Sequence, residues 1–210
     1  MDGKVFVEEL EQERKAFWEA RMDRATFRQD KKGPMNQPEL VFRLNQSLWA
    51  ELWSVPVLGF WLTEIDDQEI QLGVAQQVAD EAKHARLIMR RLKAMGFEPD
   101  PAGSTPEWKR AFEYIEGLDH WIVKMVTHNL GSEGNAKERQ QIYVDRADPD
   151  TAEMYRKNIL PDENFHVHLG RLTAERHCST PEMQARVRET FMRLQELQHE
   201  SALALNQLCV

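Results

Sequence analysis

Residues 78–87 read VADEAKHARL, a helix-like stretch that places Glu81 and His84 between the apolar positions Val78 and Ala85. Residues three apart share one face of an α-helix, so the carboxylate and the imidazole can converge on one point. A buried carboxylate is costly by several kcal/mol unless a positive group meets it. The stretch therefore predicts a helix whose polar pair faces the core because a cation, most simply a metal ion, lies there.

The same pattern recurs 82 residues later in LPDENFHVHL, residues 160–169, where Glu163 and His166 repeat the pair. In a chain of this composition about one Glu-x-x-His match is expected by chance, so a single match would mean little. A third match, Glu196 and His199, lacks the preceding Asp of the other two. We interpret that third pair as surface residues.

A further Glu lies 30 residues before each of the two matching pairs: Glu51 precedes Glu81, and Glu133 precedes Glu163. Thirty residues before Glu196 the chain has a histidine instead. The repeat predicts two similar helical hairpins, each contributing one Glu from its first helix and Glu-x-x-His from its second.

Four glutamates and two histidines make a ligand set for two metal ions. Two divalent ions would neutralise four carboxylates, and mixed oxygen and nitrogen ligands suit iron or manganese better than zinc or calcium. We therefore expect two iron ions, with manganese or a mixed manganese and iron pair as the alternative. The predicted metal ligands are Glu51, Glu81, His84, Glu133, Glu163 and His166.

Other interpretations of the upstream glutamates stay open. Glu51 could be a rim carboxylate paired with Arg43, because both lie on one predicted helix. Three polar side chains near Glu133 could replace it as a ligand: Asn129, Glu138 and Asp119.

The acids that precede the repeated glutamates, Asp80 and Asp162, point about 100° away from their neighbours on a helix. Each could hold a ligand histidine of the other hairpin, or could be an exposed acid. We expect His128 to have a structural role or to support a ligand. The sequence does not place Tyr143 or Tyr155 relative to the metals.

Apolar residues recur every three or four positions almost throughout, which predicts an all-α chain. Clusters of Pro and Gly divide it into long helices. The third starts after residues 105–107 and is marked by apolar residues from Phe112 to Leu130, and the fourth runs from about 149 to 177. A charged helix at about 3–29 precedes them. We divide the chain into an N-terminal helix and linker, residues 1–34, and a helical bundle, residues 35–210.

The formal net charge of -8 makes nucleic acid an unlikely class of partner. Only two cysteines are present, without a CxxC motif, which excludes a disulfide framework. Neither a secretion signal nor an apolar run long enough to span a membrane is recognisable, so a cytoplasmic protein without membrane contact is expected.

Over residues 35–177 the six-ligand pattern resembles the ferritin-like di-iron carboxylate superfamily. The short spacings and the absence of CxxC are similar to those of small bacterial di-iron oxygenases, such as the phenylacetyl-CoA monooxygenase catalytic subunit and the tRNA-hydroxylating group. The resemblance implies a ferritin-like four-helix bundle with additional N-terminal and C-terminal helices.

The same resemblance implies a di-iron oxygenase or oxidase that uses dioxygen as co-substrate to oxidise or hydroxylate a small organic substrate. It also implies a separate reductase or other electron donor, and we expect a homodimer. The alternatives are a ferroxidase or peroxide-scavenging ferritin-like protein, and a subunit of a multicomponent oxygenase.

Overall fold

The computed structural model describes residues 2–21 and 33–208, and over these residues the chain is helical and contains no strand. The predicted all-α class is therefore confirmed. In the described ranges, every helix is too short or too polar to cross a membrane.

Nine α-helices and two π-helical segments follow one another along the described residues. In chain order they are α1 (Gly3–Glu19), α2 (Gln37–Trp61), α3 (Gln68–Ala94), α4 (Pro106–Glu116), α5 (Trp121–Met125), π1 (Val126–Glu133), α6 (Gly134–Arg146), α7 (Pro149–Met154), π2 (Tyr155–Ile159), α8 (Leu160–His177) and α9 (Pro181–Leu208).

The chain divides into two compact units, each built from separate stretches of sequence. The first unit comprises Met1–Asp30, Pro106–Glu138 and Asn164–Val210, and the second comprises Lys31–Thr105 and Arg139–Glu163. Their boundaries fall inside α6 and α8. The predicted division after residue 34 follows sequence segments rather than these units and stays a prediction.

Helices α2 and α3 form a hairpin in the second unit, and a polar side chain caps the start of each. The Asn36 side chain accepts a hydrogen bond from the Glu39 amide at 2.8 Å, and the Asp67 carboxylate accepts one from the Ile70 amide at 3.1 Å. Such caps stabilise a helix by about 1 kcal/mol each. They set where both helices begin, and so the register of the side chains that follow.

An apolar seam joins α2 to α3. Leu44 and Leu48 of α2 and Ile88 and Leu92 of α3 are fully buried. Each such side chain contributes about 1.5–3 kcal/mol on burial. The seam holds the two helices so that one buried polar position of α2 lies opposite the polar pair of α3.

The third helix was predicted as one element, and that prediction is wrong. The structure has two helices here, α4 and α5, with a short non-helical segment between them. Gly117 follows the last residue of α4, and the His120 Nδ1 accepts a hydrogen bond from the Ile122 amide at 3.2 Å to begin α5. Glycine weakens a helix, and a side chain that caps a new helix competes with continuing the old one. Apolar periodicity alone does not reveal so short an interruption.

The predicted fourth helix, about 149–177, is also interrupted, by π2 between α7 and α8. Pro161 has no amide hydrogen to donate to the carbonyl of Lys157, which lies within π2. A local change from α to π geometry is one way to accommodate such a gap, and π segments occur often at functional sites. The other segment, π1, ends at Glu133.

In the first unit, α1 packs against α9. Phe6 and Leu10 are fully buried, and Arg188 of α9 contacts the carboxylates of Glu9 at 2.5 Å and Glu13 at 2.9 Å. The expected N-terminal helix is thus present from Gly3 to Glu19. The remainder of its predicted range, from residue 22 on, lies outside the described residues.

Gly170 allows α8 to approach π1 closely. A Cβ atom on Gly170 would lie 2.5 Å from the Leu130 backbone nitrogen and 2.8 Å from the Asn129 Cβ. One turn earlier on α8, the His166 carbonyl accepts a hydrogen bond from the Asn129 side chain at 3.0 Å. The close contact therefore fixes the backbone that carries His166.

Candidate metal centre

Three predicted ligands converge in the second unit: Glu51 from α2, and Glu81 and His84 from α3. We call them the first triad. All three are buried, and each offers a ligand atom within 4.8 Å of the other two. The Nδ1 atom of His84 lies 3.3 Å from a Glu51 oxygen and 3.8 Å from a Glu81 oxygen. The fully buried seam between the helices brings these polar groups together.

The other nitrogen of His84 contacts an acid from later in the chain. Its Nε2 atom lies 2.9 Å from the Oδ2 atom of Asp162, which belongs to α8. The first triad therefore occupies one side of the imidazole ring and Asp162 the other. The carboxylate of Asp80 accepts a hydrogen bond from the Gln76 side chain at 3.1 Å.

The three remaining predicted ligands, Glu133, Glu163 and His166, form a second triad. All are buried, and their ligand atoms also lie within 4.8 Å of one another. Glu163 and His166 are one turn apart on α8, while Glu133 is the last residue of π1. The structure thus groups the six predicted ligands as the two triads that the repeat separates.

The π geometry of π1 turns His128 toward Glu133. The His128 Nε2 atom lies 3.3 Å from a Glu133 oxygen, although the two residues are five positions apart. In a regular α-helix residues three or four apart are neighbours, whereas a π-helix aligns residues five apart. His128 thus contacts a triad carboxylate directly.

The alternatives considered for Glu51 and Glu133 have other partners. Arg43 contacts the carboxylate of Glu39, one turn earlier on α2, at 3.1 Å. The three alternatives to Glu133 have contacts of their own: the Asn129 side chain donates to the His166 carbonyl, Glu138 is exposed near Arg14, and Asp119 is exposed beside Arg186.

Two glutamine side chains that the sequence did not single out donate hydrogen bonds to triad carboxylates. Gln77 donates to Glu81 at 3.2 Å, and Gln140 donates to Glu163 at 2.8 Å. Gln77 lies one helical turn before Glu81, so helical spacing could have identified it. Gln140 lies 23 positions from Glu163, and no local pattern connects the two.

The pKa values of Glu51 and His84 are both raised, so the first triad retains protons when no metal ion is bound. Burial raises the pKa of Glu51 well above its usual range. Burial alone would lower the pKa of His84, but the nearby carboxylates outweigh it, Glu51 first and Glu163 among the others, and raise it to about 12. At neutral pH the pair of Glu51 and His84 therefore keeps at least one proton.

Two tyrosines stack close to the first triad. The rings of Tyr143 and Tyr155 are nearly parallel, with centroids 4.1 Å apart, and the hydroxyl groups of Tyr143 and Ser47 lie 3.1 Å apart. Burial raises the pKa of Tyr155 well above its usual range, and the charges of Tyr143 and Glu51 raise it further. Tyr155 thus lies close enough to Glu51 for the charge of that carboxylate to raise its pKa.

The third Glu-x-x-His pair divides between surface and interior. Glu196 is about half exposed and contacts Arg193 at 2.7 Å. His199, expected on the surface, instead packs against the rings of Phe17 and Trp18 of α1. Neither residue belongs to the metal-ligating groups found among the described residues.

The chain is similar in fold to the X-ray structure of a TenA homologue from Pyrococcus furiosus. The TM-score is 0.74 at 10% sequence identity, and the match covers 98% of this chain and 100% of that chain. At this identity the match establishes the fold alone. No family model and no curated protein matches the sequence.

This match corrects the resemblance to the ferritin-like di-iron superfamily, which is wrong. The di-iron oxygenase or oxidase activity inferred from it is wrong for the same reason, and so are the alternatives of a ferroxidase, a peroxide scavenger or an oxygenase subunit. The physical cause is that Glu-x-x-His specifies side chains on one face of one helix. It carries no information on how successive helices connect, and connectivity is what defines a fold.

Proposed function

We propose that this chain is a metalloprotein that binds two divalent transition-metal ions. The first triad, Glu51, Glu81 and His84, would hold one ion, and the second triad, Glu133, Glu163 and His166, the other. Iron is the proposed metal, with manganese or a mixed manganese and iron pair as the alternative, since carboxylate and imidazole ligands suit both metals.

The observation that carries this proposal is the arrangement around His84. Two ligand atoms that each lie about 2.0–2.2 Å from one ion are at most about 4.4 Å apart. The distances from His84 Nδ1 to the Glu51 and Glu81 oxygens, 3.3 and 3.8 Å, fit that limit. A histidine that binds metal through one nitrogen commonly donates its other N–H to a carboxylate, and Asp162 offers one at 2.9 Å.

Charge supports the same assignment. Buried carboxylates need a compensating positive charge, and the metal-free first triad obtains it by retaining protons. A divalent ion can displace those protons and supply the charge itself. The raised pKa values of Glu51 and His84 are what such a site is expected to show without its ion.

A bound divalent ion would polarise an oxygen atom of a small molecule or lower the pKa of a bound water. The chain's residues would orient the ion and exclude bulk water, because all six triad residues are buried. A small-molecule substrate, dioxygen as co-substrate, a separate electron donor, a homodimer and a cytoplasmic location stay predictions.

Metal content after reconstitution tests the proposal. Metal-free protein is incubated with Fe(II) or Mn(II) without oxygen, passed through a desalting column and analysed by mass spectrometry for metals. We expect about two ions per chain, one for each triad. Less than one ion per chain from both metals would contradict the proposal.

A second candidate is an acid–base site that works without a metal. Its basis is that His84 contacts Glu51 through Nδ1 and Asp162 through Nε2, so a proton can be shared along three groups. Nuclear magnetic resonance of His84 separates the two candidates. Broadening or shift of its ring signals on adding one equivalent of metal supports the metal site, whereas unchanged signals support the acid–base site.

A further inference from the structure

Lys83 connects the two acids that precede the repeated glutamates. Its Nζ atom contacts the Oδ2 atom of Asp162 and lies 3.5 Å from the Oδ1 atom of Asp80. Lys83 is itself part of the first Glu-x-x-His pattern, between Glu81 and His84. Its side chain is 42% exposed, so it reaches these acids from the solvent side.

The lysine and the histidine share one carboxylate oxygen. The Asp162 Oδ2 atom that contacts Lys83 also lies 2.9 Å from Nε2 of His84. A carboxylate oxygen can accept hydrogen bonds from an ammonium and from an imidazole N–H at the same time. The Lys83 ammonium therefore helps to hold the Asp162 carboxylate within hydrogen-bond distance of His84 Nε2.

The orientation of Asp162 determines which nitrogen of His84 is available as a ligand. If Nε2 carries the proton that Asp162 accepts, the lone pair of the neutral ring is on Nδ1, the atom that faces Glu51 and Glu81. If Asp162 turned away, the proton could move to Nδ1 and block the metal there. A group that holds Asp162 against Nε2 thus keeps Nδ1 of His84 free of a proton and able to bind a metal ion.

We propose that Lys83 is a positioning residue, which fixes Asp162 on Nε2 of His84 and thereby makes Nδ1 the ligand atom of the first triad. The inference rests on the proposed function. The residue 82 positions after Lys83 is Phe165, so the repeat does not supply the second motif with a lysine at this position. This positioning role of Lys83 is therefore proposed for the first triad alone.

Cobalt(II) is a suitable probe, because its visible absorption reports the ligands around it. The variants are Lys83→Met, which keeps the aliphatic stem, and Lys83→Arg, which keeps the charge. Lys157→Met is the matched control, because Lys157 pairs with Glu153 on an exposed surface at 2.5 Å. Affinity is measured by competition with a chelator, and folding by circular dichroism.

We expect two cobalt ions to bind the wild-type chain and one of them to bind Lys83→Met about 10- to 100-fold more weakly, with an altered visible spectrum. Lys83→Arg should restore the spectrum, and Lys157→Met should match the wild type in both. If Lys83→Met does not fold, Lys83→Gln replaces it.

A Lys83→Met variant that folds and has wild-type affinity and spectrum would overturn the inference and leave the proposed function intact. Failure of the wild-type chain to bind cobalt would instead overturn the proposed function. The double variant Lys83→Met with Asp162→Asn gives a further check. Its loss of affinity should be smaller than the sum of the single losses, whereas additive losses would show that Lys83 does not act through Asp162.

Discussion

The two repeated motifs place two glutamates and a histidine at the same spacing, yet their helices differ. The first motif lies on α2 and α3, which run for 25 and 27 residues without interruption. The second lies on a stretch that α geometry leaves twice, for π1 and for π2. A shared ligand pattern therefore does not require shared helix geometry, only that three side chains converge.

The surroundings of the two triads differ as well. In the first, His84 has Asp162 on its outer nitrogen, and Lys83 contacts the same acid. In the second, π geometry brings His128 to Glu133, a contact that an α-helix would not form. One additional contact of the first triad thus comes from an acid far away in the sequence, and one of the second triad comes from the π geometry of its own helix.

The largest expected effect comes from removing one ligand of each motif. Glu81→Ala and Glu163→Ala should each reduce the bound metal below two ions per chain, because each removes a carboxylate from one triad. Glu196→Ala should still bind two. Metal analysis after reconstitution measures this, and an equal loss in all three variants would contradict the repeat.

Metal affinity should fall as the pH is lowered. The pKa of His84 is raised to about 12 in the metal-free chain, so metal must displace a proton at any lower pH. For one displaced proton the affinity falls about tenfold per pH unit, or about 100-fold from about pH 8 to about pH 6. Titration with Mn(II) at several pH values measures the slope, and affinity independent of pH would exclude a protonated His84.

Two helical glycines should respond to alanine in opposite directions. Gly170→Ala forces a Cβ atom against the backbone of Leu130, so it should lower the free energy of unfolding by about 1–3 kcal/mol. Gly59→Ala on α2 meets open space and should raise it by about 0.5–1 kcal/mol. Denaturant unfolding measures both, and a stabilised Gly170→Ala would contradict the close approach of α8 and π1.

Among the expected changes in metal affinity, the smallest concerns the glutamines that donate to triad carboxylates. Gln140→Leu and Gln77→Leu should each weaken metal binding by about tenfold, since loss of a group that orients a ligand has that size of effect. The hydrogen bond of Gln140 is shorter, 2.8 Å against 3.2 Å, so its loss should be the greater. Competition with a chelator measures the metal affinity of both variants. A greater loss in Gln77→Leu than in Gln140→Leu would contradict the link between hydrogen-bond length and loss of affinity.

Local spacing was enough to predict an all-α chain and six side chains that lie close together in two groups of three, but not how the helices connect. Glu81 and His84 converge because of helix period, and their match to Glu163 and His166 is visible in the sequence. The break near Gly117 and the two π segments were not predicted, because hydrophobic periodicity tolerates a shift of one residue. The contact between Asp162 and His84 could be suggested by the repeat, whereas that between Lys83 and Asp162 depends on how helices pack, which spacing does not describe.

In each triad, the glutamate from the first helix and the histidine enclose a loop of the same length. Glu51 and His84 are 33 positions apart, and Glu133 and His166 are separated by the same number. Contacts over such short loops form early, because little chain entropy is lost in closing them. Each triad can therefore form within its own segment of chain, whereas the contact of His84 with Asp162 forms only once the second segment is in place.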